Sequence, residues 1–303
     1  MNANDIQDLF RRLDVTYRTD KSFAELTTLR VGGKIEYTAY PDSRRKLISL
    51  LRALSEAGER YFVLGNGSNV LASDNLFDGV AVCTKRVDGL QVRGDKVIAD
   101  CGVNTCALFA LLKKRGLGGG EFLGCIPSTL GGAVRGNAGC YGQNMSGIVT
   151  SVTALCADGK VRTFDNAACG FARRNSVFKR QNAVVLYVTM RFTPSTPQAV
   201  EQIFAEMHDK KKASQPLGQP SAGSTLFHER LSLSPLLDRL GTKGYRVGGA
   251  AVSKKHAGFV LNIDKAEAKD IYYIIQYQKQ RLWQVYGLTA HTEVTLVGFD
   301  DDD

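Results

Sequence analysis

The sequence predicts an α+β protein of two or three domains, and three observations carry that prediction. Its 303 residues suffice for more than one apolar core, and a composition 44% hydrophobic and 23% charged is that of an ordinary folded chain. Stretches with helical spacing of apolar residues are interleaved with short alternating stretches throughout. Two glycine-rich runs, residues 64–71 and 124–142, interrupt these patterns. The first follows the apolar stretch Tyr61–Val63 in a strand–helix–strand order, which puts it at the carboxyl end of a strand, where open α/β sheets commonly bind ligands.

In order, Ile6, Leu9, Phe10 and Leu13 mark a short amphipathic helix over residues 4–14. Thr27–Gly33 reads as a strand entering a tight turn. Ile35–Tyr40 alternates and stops at Pro41. Ser43 caps a helix running to about Ala57, with Leu47, Leu50, Leu51 and Leu54 on one face. Tyr61–Leu64 is a strand. Residues 78–101 read as short strands with turns at Asp88-Gly89 and Arg93-Gly94-Asp95, and Thr105–Arg115 as a helix stopped by Gly116. Residues 148–156, 160–164 and 183–192 alternate as strands, the first two joined by a turn at Ala157-Asp158-Gly159. Pro194–Pro197 breaks the pattern. Residues 199–212 read as helix, 215–224 as loop, 235–240 as a short helix, and 248–262 as strand, turn, strand. Residues 266–286 form the longest helical pattern, 293–299 a final strand, and Asp300–Asp303 a solvated acidic tail.

Composition narrows the function classes. No apolar run is long enough for a membrane span, and the N-terminus lacks a basic segment followed by an apolar one, which argues against a secretory signal. Seven cysteines, an odd number without any Cys-x-x-Cys pair, argue against zinc and against a disulfide framework, and fit reduced thiols in the cytoplasm. No metal site is expected. The net charge of +9 fits a basic surface or a cleft drawing in small anions. Nucleic acid fits less well, because Lys210-Lys211-Lys212 carries no interleaved aromatics.

The glycine runs carry the chemistry. Residues 124–142 include six glycines, and Leu64–Leu71 places small polar residues between Gly65 and Gly67. Such chain brings main-chain N–H groups close to a flat or anionic ligand. Either run alone is equally well an ordinary turn; together they favour one large phosphate-bearing ligand.

Leu29–Gly33, Gly65–Asn69, Ile126-Pro127 through Tyr141-Gly142, Arg174–Phe178, Gln215-Pro216 with Pro220–Ser224, Lys255–Phe259 and Glu293-Val294 form one ordered set. With that set the chain resembles the UDP-N-acetylenolpyruvoylglucosamine reductase family of peptidoglycan synthesis, from about Thr27 to Gly298. The resemblance implies a two-subdomain FAD-binding fold of the vanillyl-alcohol oxidase/p-cresol methylhydroxylase type plus a C-terminal α+β substrate-binding domain. Residues 1–86 and 87–198 would be the FAD subdomains, and 199–303 the substrate domain, its last strand (about 291–299) placed to return to the flavin site.

FAD, held non-covalently, would contact Arg30, Gly65, Asn66, Gly67, Ser68, Asn69, Pro127, Gly131, Gly132, Asn137, Gly139 and Tyr141. Its pyrophosphate would rest on main-chain N–H groups of Gly65–Asn69 and of the region near Gly131-Gly132. NADPH would reduce the flavin and leave; the enolpyruvyl UDP-sugar would then take its place, near Lys210, Lys211, His228, Lys255 and Asn262. Addition of hydride to the enolpyruvyl methylene builds negative charge on the carboxylate-bearing carbon, which calls for a cation, a polarising group and a proton donor. The family's Arg, Glu and Ser match Arg174, Glu293 and Ser224. Arg174 would bind the carboxylate through paired bonds, Ser224 would deliver the proton, and Glu293 would stand by the developing enolate, protonated or orienting a water.

The bland readings are a surface arginine at 174, a turn serine at 224, an exposed strand glutamate at 293, a solvated helix face at Lys210 and Lys211, and core packing for Tyr141. Ser128, Arg173, residues 225–229 and Thr292 depart from the family's pattern, and the short interval from Arg174 to Ser224 resembles the class without an extra substrate loop. A monomer without membrane or nucleic-acid partners is expected. Two other functions compete. Another FAD-dependent oxidoreductase of this fold is one; no histidine precedes His208, which argues against covalent flavin. A silent nucleotide-sugar-binding regulator is the other.

Overall fold

The computed structural model describes residues 3–299, and their contacts divide the chain into two units. Unit 1 comprises Met1–Arg18, Tyr37–Asn66 and Gly79–Lys210; unit 2 comprises Thr19–Glu36, Gly67–Asp78 and Lys211–Asp303. The chain therefore changes unit within the first glycine loop, between Asn66 and Gly67.

Among the described residues, unit 1 holds two larger sheets beside two short pairs, Gly139–Cys140 with Gln143–Asn144 and Leu117–Gly118 with Thr193–Pro194. In the first of the larger sheets, the order is Thr16–Arg18, Ile35–Tyr40, Phe77–Cys83, Tyr61–Leu64. Tyr61–Leu64 runs parallel to residues 80–83, so its carboxyl end delivers Gly65 at the sheet's rim. The helix Arg44–Glu56 begins at Ser43, whose side chain accepts from Lys46 N, and it buries Leu47, Leu50, Leu51 and Leu54. That is the face its leucine spacing dictates. The second sheet is antiparallel, in the order Val161–Asp165, Val149–Leu155, Val184–Arg191, Lys96–Asp100, Leu90–Arg93. One apolar cluster runs through the unit, from Phe10 and Leu50 to Phe122, Val152 and Phe178.

Unit 2 is built on an antiparallel sheet ordered Ser221–Ser224, Phe259–Asn262, Ala250–Val252, Arg246–Val247. The helix Ala268–Tyr286 buries Ile271, Ile274, Ile275 and Leu282 in the cluster shared with Val252 and Val260. A capping box of Glu267 and Asp270 starts this helix and left-handed Gly287 ends it. The carboxylate of Asp74 also accepts from Ala268 N at 2.7 Å.

Four expectations need correction. Thr27–Gly33 is not a strand: Thr28 N donates to Gly67 O, Gly33 N donates to Ser73 O, and Arg30 is left-handed at φ 56°, so no ladder forms. Residues 221–224, expected as loop, are a strand because Phe259–Asn262 supplies an edge. The glycine-rich run contains a short helix, Leu130–Arg135. The final strand is two, His291–Thr292 and Thr295–Val297, broken at Glu293 where the pairing partner changes. The run Asp300–Asp303 lies outside the described residues.

Candidate active site

In unit 1, Gly65 follows the strand and abuts the segment 127–129. A Cβ on Gly65 would stand 2.2 Å from Thr129 Oγ1, so only glycine allows this approach. Asn66 Nδ2 donates to Pro127 O at 2.8 Å and ties the same two segments. Among the described residues, the main-chain N–H groups of Asn66, Gly67, Ser68 and Asn69 donate to nothing. Four consecutive unspent amides are the donor set an anionic phosphate needs.

Gly131 differs from expectation. Its N–H donates to Cys101 O at 2.8 Å and is spent; what glycine permits there is packing, since a Cβ would come within 2.9 Å of Cys101 Cβ.

The helix Leu130–Arg135 ends in a Schellman turn. Ala138 N donates to Ala133 O, Asn137 N donates to Val134 O, and Asn137 takes the left-handed position at φ 43°. The buried Asn137 side chain then reaches outward: Oδ1 accepts from Ser146 N at 3.0 Å, and Nδ2 donates to Ala172 O at 3.1 Å. Ala172 and Asn175 exchange both backbone hydrogen bonds around the corner Arg173-Arg174, with Arg174 left-handed at φ 55°. Ser176, fully buried, donates its hydroxyl to Arg135 O at 2.7 Å. The Arg174 turn is thus anchored on both flanks to the glycine-rich run. Arg174 itself is half-buried and not an exposed surface arginine.

Gly139 closes a hairpin with Gln143 and Asn144, where a Cβ would meet Gln143 O at 2.2 Å. The turn residues Tyr141 and Gly142 are both left-handed, as the twist of a two-residue hairpin requires. Tyr141 is 39% exposed, which removes the core-packing alternative.

In unit 2, Ser224 ends its strand with Oγ donating to Leu226 O at 3.3 Å. The next residue, buried Thr225, accepts from Glu293 N at 2.8 Å. Beyond it, Leu226 and Phe227 pair with Thr292 and His291. Ser224 and Glu293 are therefore brought together on neighbouring backbones, which their 69-residue separation hides. Arg174 belongs to unit 1.

Glu293 is also the point at which the chain leaves one partner for another. Thr295 N donates to Asn69 O, and Thr295–Val297 then runs parallel to Val70–Ala72. Next to Ser224, the loop of His256 is folded on itself: His256 Nδ1 accepts from Gly258 N at 3.2 Å, and Ser234 Oγ lies 3.4 Å from the same nitrogen. Burial, with a smaller contribution from Lys243, pushes the His256 pKa down. A Cβ on Gly258 would come within 2.9 Å of Ser224 Oγ.

Several expected ligand residues are already engaged. Asn262, expected to touch substrate, donates Nδ2 to Leu29 O and Arg30 O and accepts from Ala266 N, so its amide holds the left-handed Arg30. His228 accepts from Arg230 N through Nδ1. Lys255 Nζ donates to Lys212 O. Lys210 is exposed and Lys211 half-buried, both on the helix Pro197–Ser214. Among the described residues no group of His, Cys, Asp and Glu is arranged to hold a metal ion, and no helix is long and apolar enough to cross a membrane.

A family described as FAD binding domain matches residues 35–165, and one described as UDP-N-acetylenolpyruvoylglucosamine reductase, C-terminal domain, matches 215–297. The UDP-N-acetylenolpyruvoylglucosamine reductase of Carboxydothermus hydrogenoformans is 32% identical over 294 residues, covering 96% of this chain and 97% of that protein. The chain belongs to the UDP-N-acetylenolpyruvoylglucosamine reductase family. A second reductase of the family, from Thermotoga petrophila, is 33% identical over 273 residues, covering 89% of this chain and 95% of its own. The crystal structure of the Thermus caldophilus reductase aligns with a TM-score of 0.79 at 27% identity, covering 93% and 98% of the two chains.

Sequence reasoning missed the roles of Asn69, Asn137, Ser176 and Thr225, whose partners lie far away in the chain. It also missed that four candidate site residues, Arg30, Asn137, Tyr141 and Arg174, hold positive φ. Arginine is not a residue type that announces that conformation.

Proposed function

We propose that this chain reduces enolpyruvyl-UDP-N-acetylglucosamine to UDP-N-acetylmuramate at the expense of NADPH, as a step of peptidoglycan synthesis. Family membership and the junction of Ser224 with Glu293 through Thr225 carry the reading. The residues present fit FAD: Gly65 lacks the Cβ that would fill its cradle, and the amides of Asn66–Asn69 are unspent. Bound FAD supplies the hydride carrier between NADPH and the enolpyruvyl carbon.

This chain's own residues do the rest. Asn66–Asn69 offer fixed N–H donors to the pyrophosphate. Arg174 binds the substrate carboxylate and stays charged as negative charge spreads into it. Ser224 transfers its hydroxyl proton to the carboxylate-bearing carbon, and Glu293 stabilises the charge that builds there. Lys210 and Lys211 face the diphosphate of the UDP-sugar. Residues 1–86 and 87–198 serve as the FAD subdomains and 199–303 as the substrate domain, in a cytoplasmic monomer.

Anaerobic titration tests the reading. The purified protein should be yellow, bleach with NADPH, and regain its colour with the enolpyruvyl UDP-sugar. Bleaching without recovery would favour another FAD-dependent oxidoreductase, and absence of bound flavin would favour a silent nucleotide-sugar binder.

A further inference from the structure

We infer that Asn69 is a positioning residue that fixes Glu293 beside the carbon where negative charge builds, so that the coenzyme loop itself sets the geometry of the second half-reaction. The inference rests on the reading of Glu293 given above. Three observations within unit 2 carry it. Asn69 Nδ2 donates to Glu293 O at 3.0 Å. On the other side of the same residue, Glu293 N donates to Thr225 O at 2.8 Å, and Thr295 N donates to Asn69 O at 3.0 Å. Glu293 is the residue at which the strand His291–Thr292 ends and Thr295–Val297 has not begun.

A residue in such a gap belongs to no ladder, so its φ and ψ are set by whatever bonds its own N–H and C=O. Thr225 sets one and Asn69 the other. Without the Asn69 amide, the Glu293 carbonyl loses this donor, and the Glu293 carboxylate shifts with the backbone that carries it. The donor comes from a side chain whose main-chain N–H is one of the unspent loop amides. The loop that would hold pyrophosphate therefore carries, on the same residue, the clamp on Glu293. The neighbouring Asn66 uses its amide differently, on Pro127 O in unit 1.

The test uses the holoenzyme and two variants, Asn69→Ala and Asn69→Ser; serine stays polar but is too short to bridge to Glu293 O. Because the Asn69 main-chain N–H is assigned to the coenzyme, both half-reactions are read on FAD-saturated enzyme and the signature is their ratio: reduction by NADPH should slow far less than reoxidation by the sugar. Reoxidation by the enolpyruvyl UDP-sugar should slow about 10- to 100-fold, the scale of a misplacement near 1 Å. A double-mutant cycle separates positioning from general damage. In a Glu293→Gln background, Asn69→Ala should cost less than about 3-fold more, because the group it positions is already gone. Equal slowing of both half-reactions, a full additional penalty in the Glu293→Gln background, or failure of both variants to take up FAD at saturation would overturn the inference. Failure of the wild type to bleach and recover would instead sink the functional reading on which it stands.

Discussion

Asn137→Ala is the sharpest structural perturbation, because its cost can be worked out from named bonds. The side chain is 7% exposed and makes two hydrogen bonds to main chain, from Ser146 N at 3.0 Å and to Ala172 O at 3.1 Å. Truncation leaves a donor and an acceptor unpaired, at about 1–3 kcal/mol each. Alanine also tolerates the left-handed φ of 43° less well than asparagine, adding roughly 1 kcal/mol. The expected loss is about 3–7 kcal/mol. Asn137→Gly breaks the same bonds but relieves the conformational part, so it should sit about 1 kcal/mol above the alanine variant. Asn137→Asp keeps the acceptor for Ser146 N but sets a carboxylate oxygen against Ala172 O in a buried site, so it should lose at least as much as alanine. Urea unfolding followed by far-ultraviolet circular dichroism measures all three. An alanine variant within about 0.5 kcal/mol of wild type, or a glycine variant no better than alanine, would refute the reasoning.

Other outcomes follow from the same geometry. Gly65→Ala should weaken FAD binding roughly 5- to 100-fold, the range of a modest overpacking penalty, because its Cβ meets Thr129 Oγ1; in a FAD titration of the apoprotein, Thr129→Ala should restore most of the loss, and no recovery would rule out that contact as the cause. His256 has a pKa lowered by burial, so the unfolded chain takes its proton first; the stabilising contribution is complete above about 6.5 and is lost as pH falls through the folded value. His256→Asn, which keeps an acceptor for Gly258 N, should flatten that part of the stability–pH curve, and an unchanged slope would reassign the titration to another group.

Much of the scaffold was legible in the sequence because its determinants are local. The Leu47–Leu54 stripe behind Ser43 specifies its helix through spacing and a cap. The strand Tyr61–Leu64 and the turn at Gly65 follow from an apolar run meeting a residue without a Cβ. Thr27–Gly33 and the final strand were misread for the opposite reason: whether an extended segment becomes a strand depends on which edge it meets, and those edges lie at Gly67, Ser73, Thr225 and Asn69. The candidate site divides in the same way. Glycines at close approaches announce themselves, because substitution is sterically barred wherever the chain is. The asparagine amides that tie Asn66 to Pro127, Asn69 to Glu293, Asn137 to Ala172 and Asn262 to Arg30 do not. Nothing in an asparagine's neighbours says whether its amide will face a ligand or a distant carbonyl.

The most direct test of the central claim is single-turnover kinetics of the two half-reactions in Ser224→Ala, Glu293→Gln and Arg174→Met. If these three side chains act on the transient anion, NADPH should bleach each variant at nearly the wild-type rate. Recovery of colour with the enolpyruvyl UDP-sugar should slow about 10²- to 10⁴-fold in Ser224→Ala, the range expected for a lost general acid, and the other two should slow in that half-reaction as well. Variants in which both half-reactions slow together, or in which recovery proceeds at the wild-type rate, would contradict the account.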